Sequence, residues 1–336
     1  MAAERIPGNG QQREILKDVV PLEAPFTINV VTSTVCNFKC NYCVHSLGIL
    51  EKENLGFKPA LMKWEMFCEI IEQILLMKKL PKVIFLYGVG EPLCNPELPR
   101  MVKYIKERCP EVKVAFISNG LLLNEQLIDS LVEAGLDTIR ISIQGLSSQK
   151  YQEVCGVSID YEKFLETLSY LYNHKKQCQV YIKVIDVALE EGEDKRFYNT
   201  FENIADRVFI EKCMPIFEGV EYEKEIRDRV TTDRYGNEHK MRQVCPMTFF
   251  TLSIMPDGEV RPCDNLKNPV LLGNIKEKSL ANIWSSEELR SFWMQQLKKE
   301  RYKNVVCNLC VAPDDVSQKS DELDDVAEII MKRLNA

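Results

Sequence analysis

The sequence predicts an α/β fold in which six parallel strands alternate with helices and a smaller cysteine-bearing unit follows. Three observations predict it. Apolar runs rich in β-branched residues recur at 28–31, 83–86, 112–117, 138–143, 180–187 and 208–210. Stretches with helical period lie between them, at 64–76, 97–108, 125–134, 161–174 and 195–204. Turn residues such as Gly120, Gly135 and Gly145 punctuate the alternation. Strands that alternate with helices pair in parallel through right-handed crossovers. Their near-continuous apolar character fits a sheet covered by helices on at least one face. A doubly wound sheet and an incomplete barrel both satisfy this pattern.

The elements then follow in order. Residues 1–25 read as an N-terminal extension or docking segment, in which Pro21 and Pro25 discourage a long helix. Residues 26–212 carry the six-strand rhythm. Residues 213–244 form a charged linker: the stretch 218–229 is dense in both signs and lacks a strand signal. A solvated connector is the leading reading there, ahead of an exposed helix or a mobile lid. Residues 245–310 make the second unit. Within it, 249–255 and 259–262 flank Pro256-Asp257-Gly258, a hairpin turn, and a helical pattern runs over 286–299. Residues 311–336 form an acidic tail with an amphipathic segment at 323–334.

Composition bounds the function. Of 336 residues, 45% are apolar and 28% charged, which excludes disordered and collagen-like classes. Lys and Arg total 43 against 50 Asp and Glu, a net charge of −7. An acidic chain without a basic run is a poor nonspecific nucleic-acid binder. No stretch approaches the roughly 18 apolar residues of a membrane span. The first twelve residues have no hydrophobic signal region, so a cytoplasmic protein is expected. In that reducing compartment 13 cysteines, an odd number, point to metal or redox chemistry rather than disulfides.

Spacing separates two groups of thiols. Cys36, Cys40 and Cys43 follow the first strand as C-x3-C-x2-C. In parallel α/β folds the carboxyl ends of strands form the ligand face. Three thiolates on one loop can hold three corners of a cubane iron–sulfur cluster, leaving the fourth iron open. A closed zinc site needs four ligands, and His45 is a possible fourth. Cys245, Cys263, Cys307 and Cys310 form the second group, two flanking the hairpin and two in a C-x2-C turn. Four thiolates so arranged serve zinc and iron–sulfur equally well.

The first motif resembles that of the radical S-adenosylmethionine (SAM) enzymes, and successive strand ends extend the resemblance. Tyr87-Gly88-Val89-Gly90-Glu91-Pro92 ends the second strand, Ser118-Asn119-Gly120 the third and Ser142-Ile143-Gln144-Gly145 the fourth. Gln144 is neutral where many relatives have a carboxylate. The resemblance implies a partial (βα)6 barrel and a [4Fe–4S] cluster on Cys36, Cys40 and Cys43. It also implies SAM contacts by Tyr42, Gly88, Gly90, Glu91, Ser118, Asn119, Ser142 and Gln144. Glycines let the backbone approach the cofactor's methionine amine, with which a carboxylate can pair. In this family one electron cleaves SAM to methionine and a 5′-deoxyadenosyl radical, which takes a hydrogen atom from substrate.

The second group, with Leu272-Gly273-Asn274-Ile275 and Ile283-Trp284, resembles the family's SPASM-type C-terminal extension in its shortened, "twitch" form. That implies a second, fully ligated auxiliary [4Fe–4S] cluster. The cysteine layout is similar to that of the family's aminocyclitol dehydrogenases. The implied activity is oxidation of a small polar molecule, a sugar, aminocyclitol or related alcohol, with an electron passed to the auxiliary cluster. A flavodoxin or ferredoxin would be the reducing partner. A redox-neutral epimerase with a cysteine hydrogen donor is the alternative, and a peptide maturase a third. Glu211 and Lys212, at the sixth strand's end, are the expected ionisable pair for substrate. Cys213, beside them, and Cys155, expected in the loop after the fourth strand, are candidate hydrogen donors. Arg227 and Arg229 could enter from the linker to bind substrate. Cys68, Cys94, Cys109 and Cys178 read as packing residues.

Overall fold

The computed structural model describes residues 2–8, 13–227 and 231–335. Six strands appear where the apolar runs predict them: β1 (Thr27–Val30), β2 (Val83–Phe85), β3 (Lys113–Ser118), β4 (Thr138–Ile143), β5 (Gln179–Ile185) and β6 (Arg207–Glu211). The crossovers contain α1 (Trp64–Leu75), α2 (Leu98–Arg108), α3 (Glu125–Glu133), α4 (Ser148–Cys155), α5 (Tyr161–His174) and α6 (Asp194–Phe201). All neighbouring strands of the six pair in parallel, in the order β6-β5-β4-β3-β2-β1. Order along the sheet equals order along the chain. A doubly wound sheet reverses direction at a switch point. Without a reversal, right-handed crossovers put the helices on one face and the sheet curls around the other. This is the partial barrel.

β4 shows how the residues choose their sides. Ile139, Ile141 and Ile143 are fully buried, and Ile141 lies beside Phe164 of α5. Each such side chain contributes about 1.5–3 kcal/mol through burial. Arg140 and Ser142 alternate with them and face the barrel interior, where they are only half-buried.

The C-terminal unit is not separate from this sheet. Its hairpin, β7 (Thr251–Ile254) and β8 (Val260–Arg261), pairs antiparallel within itself. β7 also pairs parallel with β1, from Thr27↔Thr251 to Val30↔Ile254, making an eight-stranded sheet. Asn29 Nδ2 donates to Ser253 Oγ across this junction at 3.1 Å. Beyond it lie α7 (Leu280–Trp284), α8 (Glu287–Leu297) and α9 (Ala327–Asn335). Trp284 Nε1 donates to the Leu22 carbonyl at 3.0 Å and Trp293 Nε1 to that of Thr248 at 2.8 Å.

Three outlying segments are packed. Glu4 pairs with the open edge of β6, its amide donating to Asp206 O and its carbonyl accepting from Val208 N. This covers an edge that would otherwise invite strand addition. Leu16, Val20 and Ala24 are buried, as are Leu323, Ala327 and Ile330 of the tail. Arg13 joins the two ends through both carboxylate oxygens of Asp321, each at 2.8 Å. The solvated connector expected at 218–229 needs correction. Val220, Tyr222 and Ile226 pack with Cys213 into a small core of their own. The charges lie between these apolar anchors. No helix among the described residues is long and apolar enough to cross a membrane.

Leu252, opposite Ile28 in the β1–β7 register, is fully buried. Leu252→Ala should destabilise the protein by about 2–5 kcal/mol through lost burial and an unfilled cavity. The check is a lowered denaturation midpoint; an unchanged midpoint would mean that this junction contributes little to the fold.

Candidate active site

A cavity of about 350 Å³ opens at the carboxyl ends of the strands. It is bounded by Cys36, Cys40 and Cys43 from one cysteine group and by Cys245, Cys263 and Cys310 from the other. The pairing of β7 with β1 brings these groups, far apart in sequence, to one space.

The first cysteine loop leaves β1 and is pinned by backbone bonds. The amides of Lys39 and Asn41 donate to the carbonyls of Cys155 and Val154 at the end of α4, at 3.1 and 2.8 Å. Phe38 is buried edge-on against Tyr151 of that helix. Burial pushes the Cys36 and Cys43 thiols up to about 12. Cys40 is raised further, first by the Cys155 thiol, whose Sγ lies 3.5 Å away, and then by burial. Thiols in such surroundings hold their protons at neutral pH unless a cationic centre replaces them. His45 is not available as a fourth ligand in this arrangement. Its Nε2 lies 2.6 Å from the Val89 carbonyl, and its ring stands edge-on to Phe57. It thereby ties the cysteine loop to the glycine loop.

The glycine loop lies against the chain that leaves β1. A Cβ on Gly90 would overlap the Ser33 carbonyl, and one on Gly88 the Val31 side chain. Only glycine permits this approach. Glu91 is buried and its carboxylate is fully engaged. It accepts from Ser118 Oγ at 2.7 Å, Asn119 N at 2.7 Å and Leu93 N at 3.0 Å. Burial still pushes its pKa up to about 7 against the pull of these donors. Glu91 therefore fastens the end of β2 to the end of β3. Asn119 Nδ2 extends this chain of bonds to Asn37 Oδ1 at 2.7 Å, inside the cysteine loop. Tyr42 donates to Gln144 Oε1, and Gln144 Nε2 donates to the Ser142 carbonyl at 3.1 Å. The eight residues expected to contact SAM thus share one cavity wall.

The four candidates for chemistry divide. Lys212 and Cys213 line the cavity; Glu211 and Cys155 do not. Glu211, the last residue of β6, and Lys212, just past the strand, do not pair with each other but with different partners. Glu211 faces inward and binds Lys183 Nζ at 2.6 Å, whereas Lys212 Nζ lies 3.5 Å from Asp186. The amide of Cys213 donates to the same Asp186 at 2.7 Å. Cys155 is not in a loop but ends α4, where Tyr151, Val154 and Cys155 form its buried side. It sits behind Cys40, away from the cavity.

Sequence reasoning missed Arg234, which lines the cavity. Its signal was the tight turn around it: Asp233 Oδ1 accepts from the amides of Tyr235 and Asn237, both at 2.9 Å. Arg227 is exposed at the end of a short helix and does not line the cavity. Arg229 lies outside the described residues.

The second cysteine group is held by Gln296, which is completely buried. Its Oε1 accepts from Cys245 N at 3.3 Å, and its Nε2 lies 3.9 Å from Cys307 Sγ. Asn304 accepts from the amides of Val306 and Cys307, and Arg301 Nη2 donates to the Cys310 carbonyl at 2.6 Å. Burial raises Cys245 to about 12 and Cys307 to about 11, and raises Cys263 well above its ordinary value. Negative charge on any of these thiols would raise its neighbours further. Four such soft donors, half-buried and electrostatically coupled, are the donor set of a multivalent metal centre, which would supply the missing positive charge.

Glu91 generates a pH prediction. Its folded pKa, about 7, exceeds its ordinary 4.5, so the folded state binds the proton more tightly. Stability from this group is present below the unfolded value and is lost as pH rises to about 7. Metal-free wild type should lose stability over that window relative to Glu91→Gln, measured as denaturant midpoint against pH. Parallel profiles would assign the dependence elsewhere.

Residues 30–196 match the model of the Radical SAM superfamily, and residues 245–311 match SPASM, an iron–sulfur cluster-binding domain. The chain is 23% identical over 317 residues to the tungsten-containing aldehyde ferredoxin oxidoreductase cofactor-modifying protein of Pyrococcus furiosus, covering 83% of this chain and 85% of that protein. It is 22% identical over 296 residues to the S-adenosyl-L-methionine-dependent 2-deoxy-scyllo-inosamine dehydrogenase of Niallia circulans, covering 88% and 95%. The crystal structure of BtrN in complex with AdoMet and 2-DOIA shares the fold, with a TM-score of 0.56, 18% identity and coverage of 88% and 96%. The chain belongs to the radical SAM superfamily, as an enzyme that binds SAM and a [4Fe–4S] cluster and carries a C-terminal iron–sulfur SPASM domain.

Proposed function

We propose that this enzyme oxidises a small polar alcohol, a sugar, an aminocyclitol or a relative of these. The overall change takes the alcohol to a carbonyl with loss of one hydrogen atom from carbon, one proton from oxygen and one electron. The observation that carries the reading is the single cavity bordered by thiols of both cysteine groups. An electron released there has an acceptor within the same space. Cys36, Cys40 and Cys43 would hold the cluster that binds SAM, and Cys245, Cys263, Cys307 and Cys310 a fully ligated auxiliary cluster. When bound, SAM and the first cluster supply the radical that accepts the hydrogen atom.

The chain's own residues do the rest. Tyr42, Gln144 and Ser142 offer hydrogen-bonding groups to the cofactor, and Gly88 and Gly90 let it approach the backbone. Lys212, with Asp186 behind it, reaches a substrate hydroxyl and forms the path for its proton. The apolar wall, including Ile117, Ile185, Met214 and Phe217, keeps water from the reacting carbon. The whole-length likeness to a SAM-dependent dehydrogenase of an aminocyclitol supports this substrate class. A flavodoxin or ferredoxin in the cytoplasm would supply the initiating electron.

Cys213 supports a second reading, a redox-neutral epimerase, because its buried thiol lines the cavity and can return a hydrogen atom. Cys155, outside the cavity, fits that role poorly.

Anaerobically reconstituted protein should hold about eight irons with matching sulfide, for two cubanes. With a substrate deuterated at the carbinol carbon, the label should appear in 5′-deoxyadenosine. Product formed without that transfer rules out this oxidation. An epimerase would instead place solvent deuterium on carbon, and Cys213→Ala would stop its turnover while SAM cleavage continued.

A further inference from the structure

The barrel interior beneath the cavity gathers several cationic side chains. Side chains two apart on a strand share a face. Ser142 and Gln144 line the cavity, so Arg140 lies one step below them on β4. Ile185 lines it too, so Lys183, opposite Ser142, and Glu211, opposite Ile185, face the same interior. Arg234 enters from the linker, held through its carbonyl by the Lys212 amide at 2.8 Å. Glu211 interacts electrostatically with Lys183, Arg234 and Arg140 together.

The pairing can be followed group by group. Lys183 is matched by Glu211 at 2.6 Å and Lys212 by Asp186 at 3.5 Å. Arg207, at the start of β6, is matched by Glu4 at 3.6 Å. Arg140 and Arg234 remain. Arg140 lies over the Phe85 ring, 5.1 Å from its centroid. Among the described residues no carboxylate comes within 4.0 Å of either guanidinium in the ion pairs observed. Glu211 and Asp315 attract Arg234 at longer range and Asp264 lines the same cavity, but none of them is joined to its guanidinium in the ion pairs of the described residues. Arg234 is half-buried and lines the cavity without a directly paired anion, and its planar fork matches carboxylate or phosphate in two parallel hydrogen bonds.

We propose that Arg234 is the oxyanion-recognition residue of this enzyme and that its substrate carries a carboxylate or phosphate beside the alcohol that reacts. This rests on the alcohol-oxidation reading and narrows it from polar molecules in general to sugar acids or sugar phosphates. The anion sits at Arg234 with Arg140 adding long-range attraction from below. Lys212 then reaches the hydroxyl on the same side of the cavity.

The test uses anaerobic holoenzyme saturated with SAM, and equilibrium dialysis with labelled D-gluconate, D-glucose 6-phosphate and D-glucose. At least one anionic probe should bind ten times or more tightly than glucose. Whichever anion binds better identifies the group as carboxylate or phosphate. Arg234→Gln should weaken that binding about tenfold or more and leave glucose unaffected. Arg234→Lys, which keeps the charge but loses the fork, should fall between the two, separating charge from a folding defect. Equal binding of glucose and both anions overturns the proposal, as does undiminished anion binding in Arg234→Gln. Weakened SAM binding with unchanged anion binding also overturns it, since Arg234 would then serve the cofactor. SAM cleavage by dithionite-reduced wild type is measured separately. Its absence would sink the radical reading while dialysis still decided the anion site.

Discussion

β1 is paired on both edges, and the site depends on it. β2 takes one side and β7 the other, in matching parallel register. A strand has only two edges, so this arrangement leaves β1 no freedom to slip without breaking two ladders. The cysteine loop of residues 36–43 grows directly from it. Cys245 and Cys263 flank the hairpin that begins with β7. One strand therefore sets the position of both thiol groups, and the buried Asn29–Ser253 bond fixes their relative register. The two cysteine groups meet at one cavity because they hang from adjacent strands of one sheet.

Around that junction the loops hold one another by side-chain bonds rather than by regular structure. Glu91 ties β2 to β3, Asn119 ties β3 to the cysteine loop, and Tyr42 ties that loop to β4 through Gln144. Tyr222 of the charged segment donates to the Tyr42 carbonyl and so reaches the same wall. These groups are largely removed from water, where an unmade bond is expensive. The thiols inside are raised for the same reason. Metal loading at these thiols would be coupled to the order of the wall: cationic iron would relieve the thiolates' unfavourable environment, and the preformed wall would lower the entropy that ligation must overcome.

What could be read from the sequence follows from how local each signal is. Ile139, Ile141 and Ile143 announce a strand by themselves, and the turn glycines mark its end. The C-x3-C-x2-C loop is local too. The sequential strand order was not readable, because alternation alone does not distinguish a barrel from a doubly wound sheet. Nor was the β1–β7 pairing, which joins residues more than two hundred apart. The helix ending at Cys155 was missed because only Tyr151, Val154 and Cys155 mark its buried face. Glu211 and Lys212, adjacent in sequence, read as partners, although the fold gives Glu211 to Lys183 and Lys212 to Asp186.

The charged segment shows where such reading fails for a functional reason. Glu218 to Arg234 mixes both signs, and composition alone assigns such stretches to solvent. Yet Val220, Tyr222 and Ile226 bury themselves against Cys213, and the turn at Asp233 then directs Arg234 to the cavity. Chemistry common to a superfamily rests on strand ends and short motifs, which a regular scaffold positions and a sequence displays. Selection among substrates rests here on an irregular connector, whose residues acquire their neighbours only through packing. The reaction class is consequently legible long before the molecule acted upon. Charge in the connector is informative only once its apolar anchors show which of its ends face inward.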